Sequence, residues 1–117
     1  MVKVLLAEDD VTMISLLNTL LTMEGFQVAA AQPDADIPTA IRLDKPDVLL
    51  LDVYLGDQNG LEIIDAIRGD AEMKGIRVVM TSGMSLKDEC LRHGADEFLL
   101  KPYTPDELIQ LLKTDSS

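Results

Sequence analysis

Residues 45–52 read KPDVLLLD, and this stretch decides the fold of the chain. Four large aliphatic residues stand in a row at Val48–Leu51. A strand covered on one face alternates apolar and polar residues, whereas a strand buried on both faces reads as a continuous apolar run. We therefore expect the central strand of a parallel sheet here, with helices on both faces of the sheet and Asp52 at the end of the strand.

Short apolar segments alternate with helical patterns on both sides of this strand. The other predicted strands are Val2–Ala7, Gln27–Ala31, Ile76–Met80 and Phe98–Leu100. The predicted helices are Asp10–Glu24, Pro38–Asp44, Gly60–Arg68, Leu86–His93 and Pro105–Lys113. Five β–α units in succession require parallel strands joined by right-handed crossovers. The pattern predicts a doubly wound α/β domain, which we place at residues 1–114, with residues 115–117 as a tail.

Composition and charge exclude several classes of function. The chain has 117 residues, with 10 Lys+Arg against 21 Asp+Glu and a formal net charge of −11. Nucleic acid and acidic membranes need clustered basic residues, and here they are scattered. No apolar run approaches the ~20 residues of a membrane span, and the N-terminus lacks a signal-peptide pattern. The single cysteine, Cys90, is typical of a reducing compartment, so we expect a cytoplasmic protein.

Polar residues follow four of the predicted strands. They are Glu8-Asp9-Asp10, Asp52, Thr81-Ser82-Gly83 and Lys101-Pro102. In doubly wound sheets, sites form outside the carboxyl ends of the strands. Each of these residues alone has an ordinary interpretation, such as a helix cap for Asp10 or a solvated surface position for Lys101. Their joint placement at one edge favours a common site, with Asp10 as the cap.

The chemistry of that set indicates phosphoryl transfer. Crowded carboxylates repel one another, and a hard cation such as Mg²⁺ relieves the repulsion. A lysine and a hydroxyl beside them can neutralise the oxygens of a transferring phosphoryl group. The carboxylate of Asp52 can act as the nucleophile, because carboxylates form acyl phosphates.

These motifs resemble the receiver domains of two-component response regulators over essentially the whole chain. The matching features are the acidic pair after the first strand, KPDVLLLD, NGLEI beginning at Asn59, Ser82-Gly83, and GADEFLLKP before the last helix. The resemblance implies a flavodoxin-like receiver topology with strand order 2-1-3-4-5. It also implies a phosphorylation-activated switch, with a sensor histidine kinase or a phosphotransfer protein as donor and a downstream protein or output domain as partner.

The resemblance assigns roles to individual residues. Asp52 matches the phosphoacceptor. The implied Mg²⁺ ligands are Asp9, Asp52 and the main-chain carbonyl of Tyr54, with Glu8 acting through water. The implied domain catalyses its own phosphorylation and slow dephosphorylation, and it is not a turnover enzyme.

Three further roles concern activation. Ser82 matches the switch hydroxyl that contacts the phosphoryl group, and Lys101 matches the lysine that does so. Phe98 matches the aromatic switch residue. The Lys101–Pro102 bond is cis in the family, and output runs through the surface of the fourth helix and fifth strand. The segment from Ser82 to Gly94 is about three residues shorter than the common pattern, nearly one helical turn, which puts this surface in question as a standard dimer interface.

The residues alone leave three other functions to be considered. An aspartyl-phosphate phosphatase needs a second acid two residues after its nucleophile, where this chain has Tyr54. A flavin mononucleotide carrier needs a phosphate-binding loop after the first strand, where residues 8–10 would repel phosphate. A phosphorylation-independent interaction module is the third alternative. Tyr54 and Met84 offer no acid or amide to position water, so we predict slow loss of the phosphoryl group.

Overall fold

A computed structural model describes residues 1–113 of the chain. Its strands are β1 (Lys3–Ala7), β2 (Gln27–Ala30), β3 (Val48–Asp52), β4 (Tyr54–Leu55), β5 (Gln58–Asn59), β6 (Arg77–Ser82) and β7 (Glu97–Leu100). Its helices are α1 (Val11–Met23), α2 (Ile37–Asp44), α3 (Gly60–Arg68), α4 (Lys87–Arg92) and α5 (Pro105–Lys113). The predicted tail at 115–117 lies outside the described residues, so the domain boundary at 114 stays a prediction.

Five parallel strands form the main sheet in the order β2-β1-β3-β6-β7. This confirms the predicted order. The chain moves from β1 outward to β2 and then returns to the other side of β1 to form β3. A switch point therefore lies between β1 and β3, where loops diverge and leave a crevice at the carboxyl edge.

The core has two layers, one on each face of the sheet. Alternate residues of β1 point to opposite layers: Leu5 packs with the helices α2 and α3, and Leu6 packs with α1 and α5. All of β3 is buried, with Leu49 in the first layer and Leu50 in the second. The prediction that this strand is covered on both faces is confirmed.

Most predicted elements agree with the structure to within a residue or two. α3 and α5 have the predicted bounds, whereas α4 is shortened to six residues and β6 extends to Ser82. The antiparallel β4–β5 hairpin was not predicted. Its strands have two residues each, too few to show a periodic pattern, and Gly56 makes the turn between them at φ +57°. Among the described residues, no helix is long and apolar enough to cross a membrane.

Candidate functional site

The polar residues after β1, β3, β6 and β7 meet at the carboxyl edge of the sheet. Lys101 Nζ lies 2.8 Å from Asp52 Oδ2 and 2.9 Å from Glu8 Oε2. Asp52 is directly opposite Thr81 in the register of β3 and β6, so Ser82 follows at the next position. The convergence expected from the sequence is therefore present.

Three carboxylates form the acidic part of the site. Glu8, Asp9 and Asp52 each offer one oxygen, and these oxygens lie within 4.8 Å of one another. Glu8 and Asp52 are buried, at 1% and 6% exposure, whereas Asp9 is exposed. Like charges at this spacing disfavour full ionisation unless positive charge is close.

Lys101 supplies one such charge. Burial by itself lowers the pKa of the ammonium group, but hydrogen bonds to Asp52 and Glu8 outweigh burial, and the pKa is raised above its usual range. Lys101 thus stays protonated at any physiological pH. The alternative of a solvated surface lysine is wrong for this residue, because its ammonium group is bound between two buried carboxylates.

Glu8 is the most buried member of the acidic set. Burial raises the pKa of its carboxyl group, the bond to Lys101 lowers it, and the charge of Asp52 raises it further, with a net increase. Its Oε1 also accepts the backbone N–H groups of Asp9 and Asp10, at 3.0 and 3.2 Å. Glu8 is thus fixed in place by the turn that follows β1.

Asp9 and Asp10 make different contacts, and the predicted cap role of Asp10 is confirmed. Asp10 Oδ1 accepts the N–H groups of Thr12 and Met13, which makes it the N-cap of α1. Asp9 lies with the acidic set, and its Oδ2 accepts the N–H of Gly56 at 3.1 Å. This hydrogen bond joins Asp9 to the β4–β5 hairpin, which was not predicted from the sequence.

Tyr54 begins that hairpin, two residues after Asp52. Its backbone N lies 3.4 Å from Asp52 Oδ1. Its side chain is 55% exposed, and its hydroxyl is 3.9 Å from the sulfur of Met84, which is 57% exposed. Tyr54, two residues after Asp52, and Met84, two residues after Ser82, are therefore in contact beside the site.

Ser82 and Thr81 end β6. Ser82 Oγ accepts the N–H of Met84 at 3.0 Å, so its own O–H remains available for donation. Thr81 is 1% exposed, and its hydroxyl has no hydrogen-bond partner within residues 1–113. The sequence placed Thr81 among the polar residues at the end of its strand but gave it no individual role in the site.

Tyr103 carries a second buried hydroxyl, and this residue was missed by sequence reasoning. It is 5% exposed, and its hydroxyl also lacks a partner in the described part of the chain. Burial, reinforced by the charge of Glu8, raises its pKa to about 12, so the hydroxyl is neutral. Its place directly after Lys101-Pro102 was the available signal. That peptide bond is cis, as the resemblance implied.

Phe98 occupies β7 opposite Met80. It is half-buried and packs against the core layer that contains α2 and α3. The ring therefore sits at the boundary between core and solvent. Its predicted role as a switch residue stays a prediction.

The donor set fits a magnesium ion. All three candidate side chains are carboxylates, and hard oxygen donors are what Mg²⁺ and Ca²⁺ prefer over softer metals. A small number of acids, with room for other oxygen ligands, favours Mg²⁺. The exposure of Asp9 leaves the set open to solvent on one side.

Comparison with known proteins agrees with this fold. The profile of the response regulator receiver domain matches residues 4–113, and the chain belongs to this family. It is 31% identical over 110 residues to the DNA-binding response regulator MtrA of Mycobacterium tuberculosis, covering 92% of this chain and 47% of that protein. It is 34% identical over 106 residues to the transcriptional regulatory protein KdpE of Staphylococcus aureus, covering 91% and 46%.

Solved structures show the same architecture. The chemotaxis response regulator CheY4 of Vibrio cholerae superposes with a TM-score of 0.83 at 25% identity, covering 97% of both chains. The receiver domain of NtrX from Brucella abortus gives a TM-score of 0.81 at 28% identity, covering 94% of both. The chain spans about half the length of the curated relatives it matches. It is a receiver domain of the kind found in two-component systems.

Proposed function

We propose that this receiver domain is switched by a phosphoryl group accepted on Asp52. The observation that carries the proposal is the position of Asp52, a buried carboxylate paired with Lys101 at 2.8 Å and grouped with Glu8 and Asp9. An ionised carboxylate that is buried among other acids lowers the stability of the fold. Its presence therefore indicates a function that requires the charge. Accepting a phosphoryl group is such a function.

The proposed donor is a phosphohistidine on a sensor histidine kinase or a phosphotransfer protein. An oxygen of Asp52 attacks the phosphorus, the N–P bond breaks, and an O–P bond forms. The freed histidine nitrogen keeps the electron pair. Lys101 Nζ, already beside Asp52 Oδ2, is placed to neutralise charge on the phosphoryl oxygens.

Mg²⁺ is the proposed cofactor. Asp9, Asp52 and the main-chain carbonyl of Tyr54 would hold the ion, with Glu8 contributing through water. When bound, it supplies positive charge that offsets the phosphoryl oxygens. The chain's own contribution is to keep the acids together, through the buried turn at Glu8 and the ammonium group of Lys101.

The proposed switch runs from the site towards α4. A phosphoryl group adds negative charge and strong acceptors, which draw in donors. Ser82 can donate its O–H without losing the N–H of Met84. Because that N–H belongs to the β6–α4 loop, a shift of Ser82 moves the start of a six-residue helix. The surface of α4 and β7, with Phe98, is the proposed output face.

The proposed output partner is a downstream protein or an output domain. The family supports both arrangements, and two relatives are described as DNA-binding or transcriptional regulators. For this chain, the scattered basic residues argue against direct contact with nucleic acid by this domain or with a membrane. A cytoplasmic location also stays a proposal, supported by the family.

Labelling with a small acyl phosphate tests the assignment of Asp52. The unchanged protein is expected to gain one phosphoryl group in Mg²⁺ and none in EDTA, measured by intact mass. Asp52→Asn is expected to abolish labelling. Asp57→Asn is the matched control, since Asp57 is an exposed acid on the same segment that forms no ion pair within residues 1–113. Labelling of Asp52→Asn at the level of the control would overturn the assignment of Asp52. Absence of labelling in the unchanged protein would instead favour a phosphorylation-independent interaction module.

A further inference from the structure

The β4–β5 hairpin connects Asp9 to a loop on the far side of β1. Its turn residue, Gly56, donates its N–H to Asp9 Oδ2 at 3.1 Å, across 47 residues of sequence. Within residues 1–113 the other oxygen of Asp9 accepts no hydrogen bond. One oxygen of the carboxylate is therefore oriented by protein, and the other is left for a cation.

The hairpin itself is held at its base. Leu55 is fully buried in the core, and Gly60 N–H donates to the carbonyl of Val53 at 2.6 Å. Its turn depends on Gly56, whose φ of +57° lies in the left-handed region that favours glycine. This conformation presents the Gly56 N–H at the acidic set.

Gln58 holds the other side of the hairpin. Its side-chain amide donates to the carbonyl oxygens of Pro33 and Ala35 at 2.8 and 2.9 Å, so both of its N–H groups are used. Pro33 also lies against the turn, since a Cβ on Gly56 would be 3.6 Å from the Pro33 carbonyl oxygen. The β2–α2 loop thus contacts the hairpin at both Gln58 and Gly56.

We propose that Gln58 is a positioning residue for the divalent cation, acting through Gly56 on Asp9. The amide fixes the hairpin against the β2–α2 loop, and the hairpin in turn fixes the orientation of the Asp9 carboxylate. Groups that orient metal ligands raise affinity because less freedom is lost on binding. Cation binding and the packing of the β2–α2 loop are then coupled, although the loop contributes no ligand. This inference rests on the proposed Mg²⁺ site.

Coupling of this kind must be reciprocal. If the contact between Gln58 and the loop raises the affinity for Mg²⁺, bound Mg²⁺ stabilises that contact by the same factor. The backbone amide of Gly56 reports on the contact between the hairpin and Asp9, because its hydrogen exchange requires release from Asp9 Oδ2. Bound Mg²⁺ is expected to slow this exchange in the unchanged protein.

The test is a Mg²⁺ titration followed by backbone amide NMR, which yields a dissociation constant without any phosphodonor. Gln58→Met keeps the length of the side chain and removes both N–H donors. It is expected to raise the dissociation constant about fivefold, since outer partners change affinity by about 10–100-fold and Gln58 acts one contact further away. Gln32→Met is the control, an exposed glutamine in the same loop whose side chain has no hydrogen bond within residues 1–113.

The outcomes separate the two proposals. A folded Gln58→Met protein that binds Mg²⁺ as tightly as the control overturns the positioning role and leaves the proposed function intact. Absence of Mg²⁺ binding at Asp9 and Asp52 in the unchanged protein overturns both. If Gln58→Met does not fold, the exchange rate of the Gly56 amide decides: no slowing on adding Mg²⁺ to the unchanged protein overturns the coupling.

Discussion

Lys101 Nζ lies 2.8 Å from Asp52 Oδ2, although the two residues are 49 positions apart in the chain. The same ammonium group lies 2.9 Å from Glu8 Oε2. One cation thus serves two buried carboxylates that come from neighbouring strands. This arrangement ties β1, β3 and β7 together at the site, so the stability of the fold and the chemistry of the site share one residue.

Replacing Lys101 with Met is expected to destabilise the protein in EDTA. Both carboxylates would lose their cation while remaining buried, at a cost of about 2–3 kcal/mol. The cost stays below that of a fully buried pair because the lysine side chain keeps 27% exposure. Urea unfolding measures the effect, with Lys87→Met, an exposed lysine of α4, as the control. Saturating Mg²⁺ is expected to restore part of the loss. Equal urea midpoints for the two variants would contradict this account.

Gly60 is expected to tolerate no larger residue. A Cβ at this position would lie 2.5 Å from the carbonyl oxygen of Asp52 and 2.9 Å from the Cα of Val53. Since both neighbours are backbone, Gly60→Ala must shift the strand end that carries Asp52, with a loss of about 1–3 kcal/mol in unfolding free energy. Gly75→Ala is the matched control, because a Cβ there meets nothing within 4 Å. Thermal unfolding of the two variants provides the comparison, and a smaller loss for Gly60→Ala than for Gly75→Ala would show the close approach to be harmless.

Asp70, which accepts the N–H of Glu72 and forms an ion pair with Arg42, gives a pH dependence. The N–H of Glu72 and then the guanidinium of Arg42 lower the pKa of Asp70 below its usual 3.8. A carboxyl group with a lowered pKa in the folded state stabilises the fold above its unfolded pKa, and this contribution disappears as the pH falls through the folded value.

Asp70→Asn is therefore expected to be less stable than the unchanged protein above about pH 4, with the difference vanishing at lower pH. Urea midpoints measured across this range test it. Asp34→Asn, which replaces an exposed acid on the β2–α2 loop, is expected to show no such trend. A difference between Asp70→Asn and the unchanged protein that persists at the lowest pH would rule out the carboxylate as its source.

The contact between Tyr54 and Met84 predicts slow loss of the phosphoryl group. Neither side chain carries an acid or amide that could orient an attacking water, and they meet beside the site at 3.9 Å. Met84→Gln supplies an amide there and is expected to speed hydrolysis about tenfold, which corresponds to about 1.4 kcal/mol in the barrier. The decay of the labelled protein, followed by mass, measures the rate. Met23→Gln changes another exposed methionine, at the end of α1, and should leave the rate unaltered.

The order and type of the elements were predictable because they depend on local patterns. The apolar run Val48–Leu51 predicts that its strand is buried, and the position of Asp10 just before an apolar helical stripe predicts that it caps the helix. The β4–β5 hairpin was not predictable on these terms. Two-residue strands have no period, and what forms them is the left-handed turn at Gly56 and the anchoring of Gln58 to a distant loop.

The site shows the same division. Placing acids, a hydroxyl and a lysine at one edge followed from topology, since parallel strands bring their carboxyl ends together. The distances between the side chains of the site, and the extent of their burial, could not be predicted from the topology. Tyr103 was missed, and Thr81 received no individual role, because the burial of their hydroxyls without hydrogen-bond partners in residues 1–113 is a property of the packed molecule.

The sequence by itself determined the five β–α units, the buried central strand and the edge at which the polar residues gather. These follow from side-chain periodicity and chain connectivity, which act over a few residues at a time. Only the tertiary structure decided that Lys101 bridges Glu8 and Asp52, and that Gly56 orients Asp9. Such contacts join residues more than 40 positions apart, and their geometry depends on how strands, turns and loops pack in three dimensions.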